Sequence, residues 1–273
     1  MADVRDIEIV FLFQKGLYLT KQQDYNAAIA SYDYVLDLQP DYPDAWYNRG
    51  NALYRIGHFE SAIASYNQAL EYEPGFSEAW NNRGSALDDL KRYQDAIVSY
   101  DQAIKFKPDY CWAWYNRGIA LRNLGHYEAA INSYDRAIEF KPDYYWAWYN
   151  RALALKQLGK LERVVASYDK VLEFKPDFED AWTNRGNALY HLRQLEAAIA
   201  SYDRALKLHP DNPNTFYNQA CCYALQGNYD LAFESLQRAV ELNPHEYRDI
   251  AKTNSDFDGL REDERFMALI NGR

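Results

Sequence analysis

The segment AWYNRGNAL, residues 45–53, decides how this chain folds, because its pattern returns every 34 residues without an insertion or a deletion. The tryptophan of the segment recurs in five copies and phenylalanine takes its place in the next, at Trp46, Trp80, Trp114, Trp148, Trp182 and Phe216. Proline follows the same period, at positions 40, 74, 108, 142, 176, 210 and 244. A fixed period of this length indicates a solenoid of stacked helical units.

The order of the recurring residues is Trp, Gly four residues later, Leu seven residues after the Trp, then a second Gly, an aromatic residue, Ala, Tyr, Ala and Pro. This order resembles the tetratricopeptide repeat, in the style common in bacteria, cyanobacteria among them. The resemblance implies an all-α, right-handed superhelical solenoid of antiparallel helix pairs with a C-terminal capping helix. Its seven repeats and the capping segment would occupy residues 9–42, 43–76, 77–110, 111–144, 145–178, 179–212, 213–246 and 247–273.

Each copy reads as two helices. In the fourth copy Trp114, Gly118 and Leu121 follow helical spacing, which predicts one buried stripe. Gly118 is expected to let a neighbouring helix approach closely. Gly125 is expected to end the first helix in a left-handed conformation, and Pro142 closes the unit because proline cannot continue a helix. We expect the tryptophan column to form the core, so that truncating Trp148 would destabilise the fold.

Composition excludes several classes of function. The 273 residues carry 30 basic and 40 acidic side chains, a formal net charge of −10, which disfavours nucleic acid and anionic membrane surfaces as partners. No run of residues predicts a signal peptide or a membrane span. The three cysteines, Cys111, Cys221 and Cys222, form no even framework, and we interpret them as small buried thiols rather than a redox pair. A reducing cytoplasm fits this usage.

The polar residues form no catalytic constellation. None of the five histidines has metal-ligand spacing to cysteine or carboxylate residues, and the glycines are periodic rather than gathered in a phosphate-binding loop. Serine also recurs as a column, which favours a packing or surface role over a single nucleophile. The sequence therefore predicts a protein that is not an enzyme and uses no cofactor and no metal.

One polar column is the strongest candidate for binding. Asparagine stands two residues after the tryptophan, about 200° round the helix, and so faces away from the predicted core stripe. The column comprises Asn48, Asn82, Asn116, Asn150, Asn184 and Asn218. The family resemblance implies that such a ladder of amides lines a concave groove and grips the backbone of a bound peptide. The alternative is that these amides cap or bridge neighbouring helices and bind nothing.

Copies four and five add bulky residues to the same face. The predicted subsite combines aromatic and aliphatic residues with two cations at the groove's edge, and it comprises Trp112, Tyr115, Ile119, Arg122, Trp146, Tyr149, Leu153 and Lys156. Tryptophan and tyrosine are enriched among the residues that dominate binding energy. The alternative is that Trp112 and Trp146 pack on the preceding turns, against Tyr110 and Tyr144.

These features predict a non-enzymatic scaffold whose groove holds a peptide or helix of another protein. A co-chaperone that clamps a chaperone's terminal carboxylate is a weaker alternative, because the column after the tryptophan holds no cation and Asn48, Asn51 and Arg55 give only part of a clamp. An assembly factor that recruits an enzyme, for example in photosystem biogenesis, is a third reading. The sequence does not identify the partner.

Three further expectations concern contacts. Arginine precedes the first glycine in most copies, and we expect each to pair with the acid eighteen residues later in its own repeat, as in Arg117 with Asp135. The tail after Pro244 is expected to cap the last repeat through a short helix, a turn at residues 254–256 and a final helix from about Phe257. The apolar N-terminal stretch around Phe11 and Phe13 is either covered or an edge at which two copies dimerise.

Overall fold

The computed structural model describes residues 4–272, which are helical throughout apart from short turns. Over these residues it has sixteen α-helices and one 3-10 helix, Ser255–Leu260. The α-helices are α1 Val4–Lys21, α2 Tyr25–Leu38, α3 Pro43–Arg55, α4 Phe59–Tyr72, α5 Ser77–Asp89, α6 Tyr93–Phe106, α7 Cys111–Asn123, α8 Tyr127–Phe140, α9 Tyr145–Gln157, α10 Leu161–Phe174, α11 Glu179–His191, α12 Leu195–Leu208, α13 Pro213–Leu225, α14 Tyr229–Leu242, α15 Pro244–Thr253 and α16 Glu264–Asn271.

The chain forms two compact units, residues 1–142 and 143–273. Within each unit every helix packs on the next along the chain, and the first helices of successive pairs also touch, as α3 touches α5 and α11 touches α13. The predicted repeat of helix pairs is therefore confirmed. No helix among residues 4–272 is both long and apolar enough to cross a membrane.

Tyrosine, not tryptophan, is the large fully buried residue of the repeat. The second helix of each of the first six pairs carries it, at Tyr32, Tyr66, Tyr100, Tyr134, Tyr168 and Tyr202, and Leu236 takes its place in the seventh. The repeat tryptophans are only half-buried. In the fourth copy the indole N–H of Trp114 donates to the carbonyl of Pro108 at 2.9 Å, and the guanidinium groups of Arg117 and Arg136 lie over its ring. Trp46 and Trp80 pack against a buried cluster that contains Leu70, so the tryptophan column contributes to the core as predicted, but from its half-exposed edge rather than its centre.

The first glycine of the repeat makes room for the buried tyrosine. A Cβ on Gly118 would lie 2.5 Å from Cε1 of Tyr134, and the same close approach recurs in four other copies. In the fifth copy Ala152 replaces this glycine while Tyr168 stays fully buried. The close approach predicted at this glycine is confirmed, and its neighbour is the tyrosine ring of the same repeat.

The turn inside each pair keeps a left-handed residue whether or not glycine is available. Gly57, Gly125, Gly159 and Gly227 have φ between 67° and 80°. The other three copies place Gln23, Lys91 and Arg193 there, with φ of 64°, 59° and 61°. A residue with a Cβ is strained in this region. The connection between the two helices therefore requires the left-handed conformation even where it strains the backbone of a residue other than glycine.

Arginine pairs with the preceding repeat, which contradicts the predicted pairing within a repeat. Arg117 Nε donates to Asp101 at 2.7 Å, while its Nη1 donates to the hydroxyl of Ser133, sixteen residues on. The same arrangement joins Arg49 to Asp33 and Arg185 to Asp169, each at 2.6 Å. In the seventh copy Gln219 keeps it, donating to Asp203 at 2.6 Å. The acid sixteen residues before each arginine lies across the repeat boundary from it. Within its own repeat the arginine contacts a serine instead of the expected acid.

The tail packs on the last helix pair. Phe257 and Phe266 are fully buried, and the ring of Phe257 meets Tyr217 of α13 edge-on with centroids 5.8 Å apart. Asn254 Nδ2 donates to the Tyr217 hydroxyl at 2.7 Å. The predicted short helix is α15, but the final helix α16 starts at Glu264 rather than near Phe257, because residues 255–260 form the 3-10 helix. The cap predicted from sequence is present with this difference.

Candidate functional site

The first helices of successive pairs in the unit 1–142 border a polar cavity of about 470 Å³. Its walls come from α1, α3, α4 and α5, and comprise Thr20, Tyr47, Asn51, Tyr54, Arg55, Tyr66, Asn82 and Ser85. A smaller cavity of about 150 Å³ shares two of these residues and reaches the predicted site residues Asn116 and Ile119. Part of the predicted binding face therefore lines real concavities.

The unit 143–273 has its own cavity, of about 290 Å³. It contains the predicted site residues Lys156 and Asn218, and the tail closes it through Asn254. Tyr190 in its wall donates a hydrogen bond to Asp256 of the 3-10 helix. The tail thus contributes to the inner face of this unit, which the sequence did not predict.

The asparagine column is held by hydrogen bonds within the protein. Asn82 Nδ2 donates to Asn51 Oδ1 at 2.9 Å and to the Tyr47 hydroxyl at 3.1 Å. Asn116 Nδ2 donates to Asn81 Oδ1 at 3.0 Å. These bonds cross from one repeat to the next, so the column bridges neighbouring helices as the alternative interpretation held.

The other members of the column make two kinds of hydrogen bond, either to the neighbouring repeat or within their own helix. Asn218 Nδ2 donates to Asn187 Oδ1 at 2.9 Å, and Asn184 Nδ2 lies 3.5 Å from the Tyr149 hydroxyl. Asn48 and Asn150 instead donate to the carbonyl four residues earlier on their own helices, at 2.8 and 2.9 Å. A side-chain amide has two donor hydrogens and two acceptor lone pairs, so these bonds leave capacity for a ligand. Backbone recognition by the column stays a prediction.

The two extra tryptophans are among the more exposed aromatic residues. Trp112 is 42% exposed, with the ammonium of Lys141 5.1 Å from its ring centroid. Trp146 is 39% exposed and touches Phe178 edge-on, with centroids 5.3 Å apart. Both of these contacts are with the turn at the end of the same repeat, and Trp146 also lies beside Tyr145, with ring centroids 5.1 Å apart. Enough of each indole remains exposed to offer contact area to a partner.

The remaining predicted residues are partly covered. Tyr115 packs beside the buried Tyr134, and Tyr149 stacks on Phe178 with centroids 5.1 Å apart. Leu153 and Arg122 are half-buried, and Lys156 is exposed. The α7 members of the predicted subsite belong to the unit 1–142 and the α9 members to the unit 143–273.

Sequence reasoning found only two members, Arg122 and Lys156, of one column of the inner face. The residue eight positions after each tryptophan lines a cavity in several copies, as Tyr54, Asp88, Lys156 and Tyr190 show. Tyr54 donates to Asp89 Oδ2 at 2.5 Å, and burial followed by this bond raises the pKa of the tyrosine. The signal was available, because this column changes chemistry from copy to copy while the position before it is leucine in most copies.

The cysteines are poorly suited to redox chemistry. All three are free thiols; Cys221 and Cys222 are buried and Cys111 is half-buried. Burial, and then the nearby Asp256 carboxylate, raise the pKa of Cys222 to about 12, and Cys221 is shifted in the same direction. The thiolate is the reactive form. Residues 4–272 also contain no group of three or more His, Cys, Asp or Glu side chains placed to hold a metal ion.

Comparison with known families gives a consistent result. Models described as "Tetratricopeptide repeat" match residues 47–110, 99–132, 145–178, 179–212 and 213–246, and a model described as "TPR repeat" matches residues 16–57 and 118–159. Together the matches extend from residue 16 to residue 246. The comparison with curated proteins gives no match.

Solved structures support the same fold. The C-terminal part of a TPR repeat-containing protein from Cytophaga hutchinsonii is 16% identical, with a TM-score of 0.75 over 89% of this chain and 99% of its own. YrrB, described as a TPR protein with an unusual peptide-binding site, is 20% identical, with a TM-score of 0.65 over 70% of this chain and all of its own. MamA is 25% identical, with a TM-score of 0.56 over 64% of this chain and 96% of its own.

Proposed function

This chain belongs to the tetratricopeptide repeat family, and we propose that it is a non-enzymatic scaffold whose inner helix faces bind a peptide or helix of a partner protein. The observation that carries the proposal is the combination on one face of polar cavities, lined by amide and tyrosine side chains, with exposed tryptophan. Tryptophan and tyrosine are enriched among the residues that dominate the binding energy of interfaces. YrrB, a structural neighbour, is described as peptide-binding.

The chemistry of the cavity lined by Tyr47, Asn51 and Arg55 disfavours the chaperone-clamp alternative. Arg55 is the single cation among the residues that line the cavity of about 470 Å³. A terminal carboxylate held by a clamp needs more than one positive group to offset its desolvation. The scaffold proposal, which asks for hydrogen bonds to peptide groups and for aromatic contact, uses the amides and tyrosines that are there. Recruitment of an enzyme for assembly is compatible with the same groove.

The proposal extends to the compartment. We place the protein in the cytoplasm, because buried free thiols such as Cys221 and Cys222 suit a reducing environment. Growth with a fluorescent fusion and fractionation of the host cell would test this assignment directly.

The exposed tryptophans provide the test of the binding face. A library of random twelve-residue peptides displayed on phage is panned against the full chain, and the enriched peptides are synthesised and titrated. Trp112→Ala and Trp146→Ala are each expected to weaken binding by about 2 kcal/mol, the scale of a hot-spot residue. Asn116→Ala should weaken it by about 0.5–1.5 kcal/mol, because a neutral hydrogen bond contributes less.

The matched control is Val98→Ala on α6, a large apolar residue that is 57% exposed and lines none of the cavities. It should leave affinity unchanged. Unaltered affinity in both tryptophan variants, with the fold intact by circular dichroism, would show that these rings only cover their turns and that the site is elsewhere.

The N-terminal helix presents a second surface, and we propose that a second copy of the chain covers it. Val4, Ile7, Phe11 and Tyr18 are 60–78% exposed, and their spacing places them on one face of α1. Phe13, by contrast, is half-buried against Tyr42, with ring centroids 5.1 Å apart. An exposed apolar stripe of this size is typical of an interface.

Analytical ultracentrifugation tests this surface. The wild-type chain is expected to show a concentration-dependent dimer, and Ile7→Glu/Phe11→Glu should remain monomeric because the charges would be desolvated at the interface. Val98→Glu, which adds a charge at an exposed apolar site on α6, should not change the distribution. A wild-type chain that sediments as a monomer up to high micromolar concentration would remove the dimer from the proposal.

A further inference from the structure

The smaller cavity of the unit 1–142 differs from its neighbours in charge. It has a volume of about 150 Å³ and is lined by Tyr54, Ser85, Asp88, Asp89, Tyr100, Asn116 and Ile119. Tyr54 and Ser85 also line the cavity of about 470 Å³, so the two concavities adjoin. The smaller one contains two carboxylates and no cation among its lining residues.

The position of these carboxylates is unfavourable for the fold. Asp88 and Asp89 are the last two residues of α5, where the helix dipole is negative and basic residues are preferred. Other copies follow that preference and place Arg55, Arg122, Lys156 and His191 in the same two columns. Only the third copy has acids in both columns.

One oxygen of the pair has no hydrogen-bond donor among residues 4–272. Asp89 accepts the hydrogen bond from Tyr54, but Asp88 Oδ1 is buried and has no hydrogen-bond partner among the described residues. A buried polar oxygen without a partner costs free energy, and the cost is larger for a charged group. The third repeat therefore keeps a destabilising carboxylate where its sister repeats carry a stabilising base.

The titration of Asp88 reflects the same situation. Burial, and then the adjacent Asp89 carboxylate, raise the pKa of Asp88 to about 6, although the guanidinium of Arg122 on α7 acts in the opposite direction. The groups that face it from the packed helices are Asp89 on α5, Tyr54 on α3, Tyr100 on α6, and Arg122 and Tyr134 on α7 and α8. Of these, the tyrosines have raised pKa values and are neutral near pH 6.

We propose that this acidic cavity receives a lysine or arginine side chain of the segment bound in the groove. The proposal rests on the proposed function, in which the inner face binds a peptide, and it adds where a basic residue of that peptide lies. A cation beside Asp88 supplies the missing donor and offsets the repulsion between the two carboxylates. The methylene stem of lysine or arginine would pack on Ile119 and the tyrosine rings.

The test uses peptides from phage selection as defined probes. The twelve-residue library is panned against the full wild-type chain and against Asp88→Asn/Asp89→Asn, which keeps the shape and an acceptor for Tyr54 but removes both charges. A chain with Asp41→Asn/Asp109→Asn is the matched control, since it loses two exposed carboxylates that line neither cavity. An enriched peptide and the same peptide with norleucine in place of its conserved basic residue are then titrated at pH 7.5 and pH 5.

Wild type and control are expected to select a lysine or arginine at one fixed position, and norleucine there should cost about tenfold in affinity. In Asp88→Asn/Asp89→Asn the same replacement should cost less than twofold. The wild-type affinity for the basic peptide should fall several-fold from pH 7.5 to pH 5, because Asp88 is protonated below about pH 6, and the double variant should lose this fall.

The outcomes separate the two proposals. Selection of peptides without a conserved basic residue, or an equal norleucine penalty in wild type and double variant, would overturn the acidic subsite while leaving the peptide groove in place. Failure to select any peptide that binds at micromolar concentration would overturn both. The double variant should unfold no more easily than wild type, so loss of the selectivity cannot be attributed to loss of the fold.

Discussion

Replacing Tyr134 with alanine is expected to lower the free energy of unfolding by about 3–5 kcal/mol, the range for truncating a large buried aromatic residue. Tyr134 is fully buried, and its ring lies against Gly118, which leaves no side chain to collapse into the space. Trp114→Ala should cost clearly less, since that ring is half-buried. Chemical denaturation followed by circular dichroism gives both values.

The hydroxyl of this tyrosine column supplies an internal control. The Tyr134 hydroxyl is buried without a hydrogen-bond partner in the described residues, so Tyr134→Phe should be neutral or stabilising. The Tyr66 hydroxyl donates to Asn51 at 2.9 Å, and Tyr66→Phe should cost about 0.5–1.5 kcal/mol. A larger loss from Trp114→Ala than from Tyr134→Ala would make the tryptophan column the centre of the core.

Deleting residues 254–273 is expected to produce the other large effect. The deletion removes Phe257, Leu260, Phe266 and Ile270, all buried, and uncovers the α13 and α14 surface on which they pack. Each fully buried side chain of this type contributes about 1.5–3 kcal/mol, so the last helix pair should lose several kcal/mol of stability. Terminal repeats of solenoids need such a cover for solubility. Thermal unfolding and size-exclusion chromatography would show a lower midpoint and aggregation.

Single substitutions separate packing from chain length. Phe257→Ala should reproduce a loss of about 3–5 kcal/mol, as for other buried aromatic residues. Met267→Ala, at a 42% exposed position of α16, should cost far less. A truncated chain that stays monomeric and melts with the full-length chain would show that the tail is dispensable for the last repeat.

Much of the fold was predictable because the repeat has a strict period. The 34-residue spacing fixed the number of helix pairs, the helix-ending glycines and the close approach at Gly118, all of which depend on residues within one repeat. The inner face was predictable in part: Asn82, Asn116, Ile119, Lys156 and Asn218 do line cavities. Helical geometry alone puts the asparagines of this set on the side opposite the tryptophan.

What the period could not decide is which of two equivalent neighbours a side chain meets. The periodic sequence offers Arg117 one acidic partner in its own repeat and another in the preceding repeat. Only the stacking of the helices brings Arg117 to Asp101. The same holds for burial, because tyrosine and tryptophan both recur every 34 residues, and the packed structure places only the tyrosine against the glycine. Sequence by itself determined the repeat, its helices and which side of each helix faces inward. Tertiary packing decided the partners across repeat boundaries and left Asp88 Oδ1 without a hydrogen-bond donor among the described residues, since those contacts depend on how adjacent repeats stack.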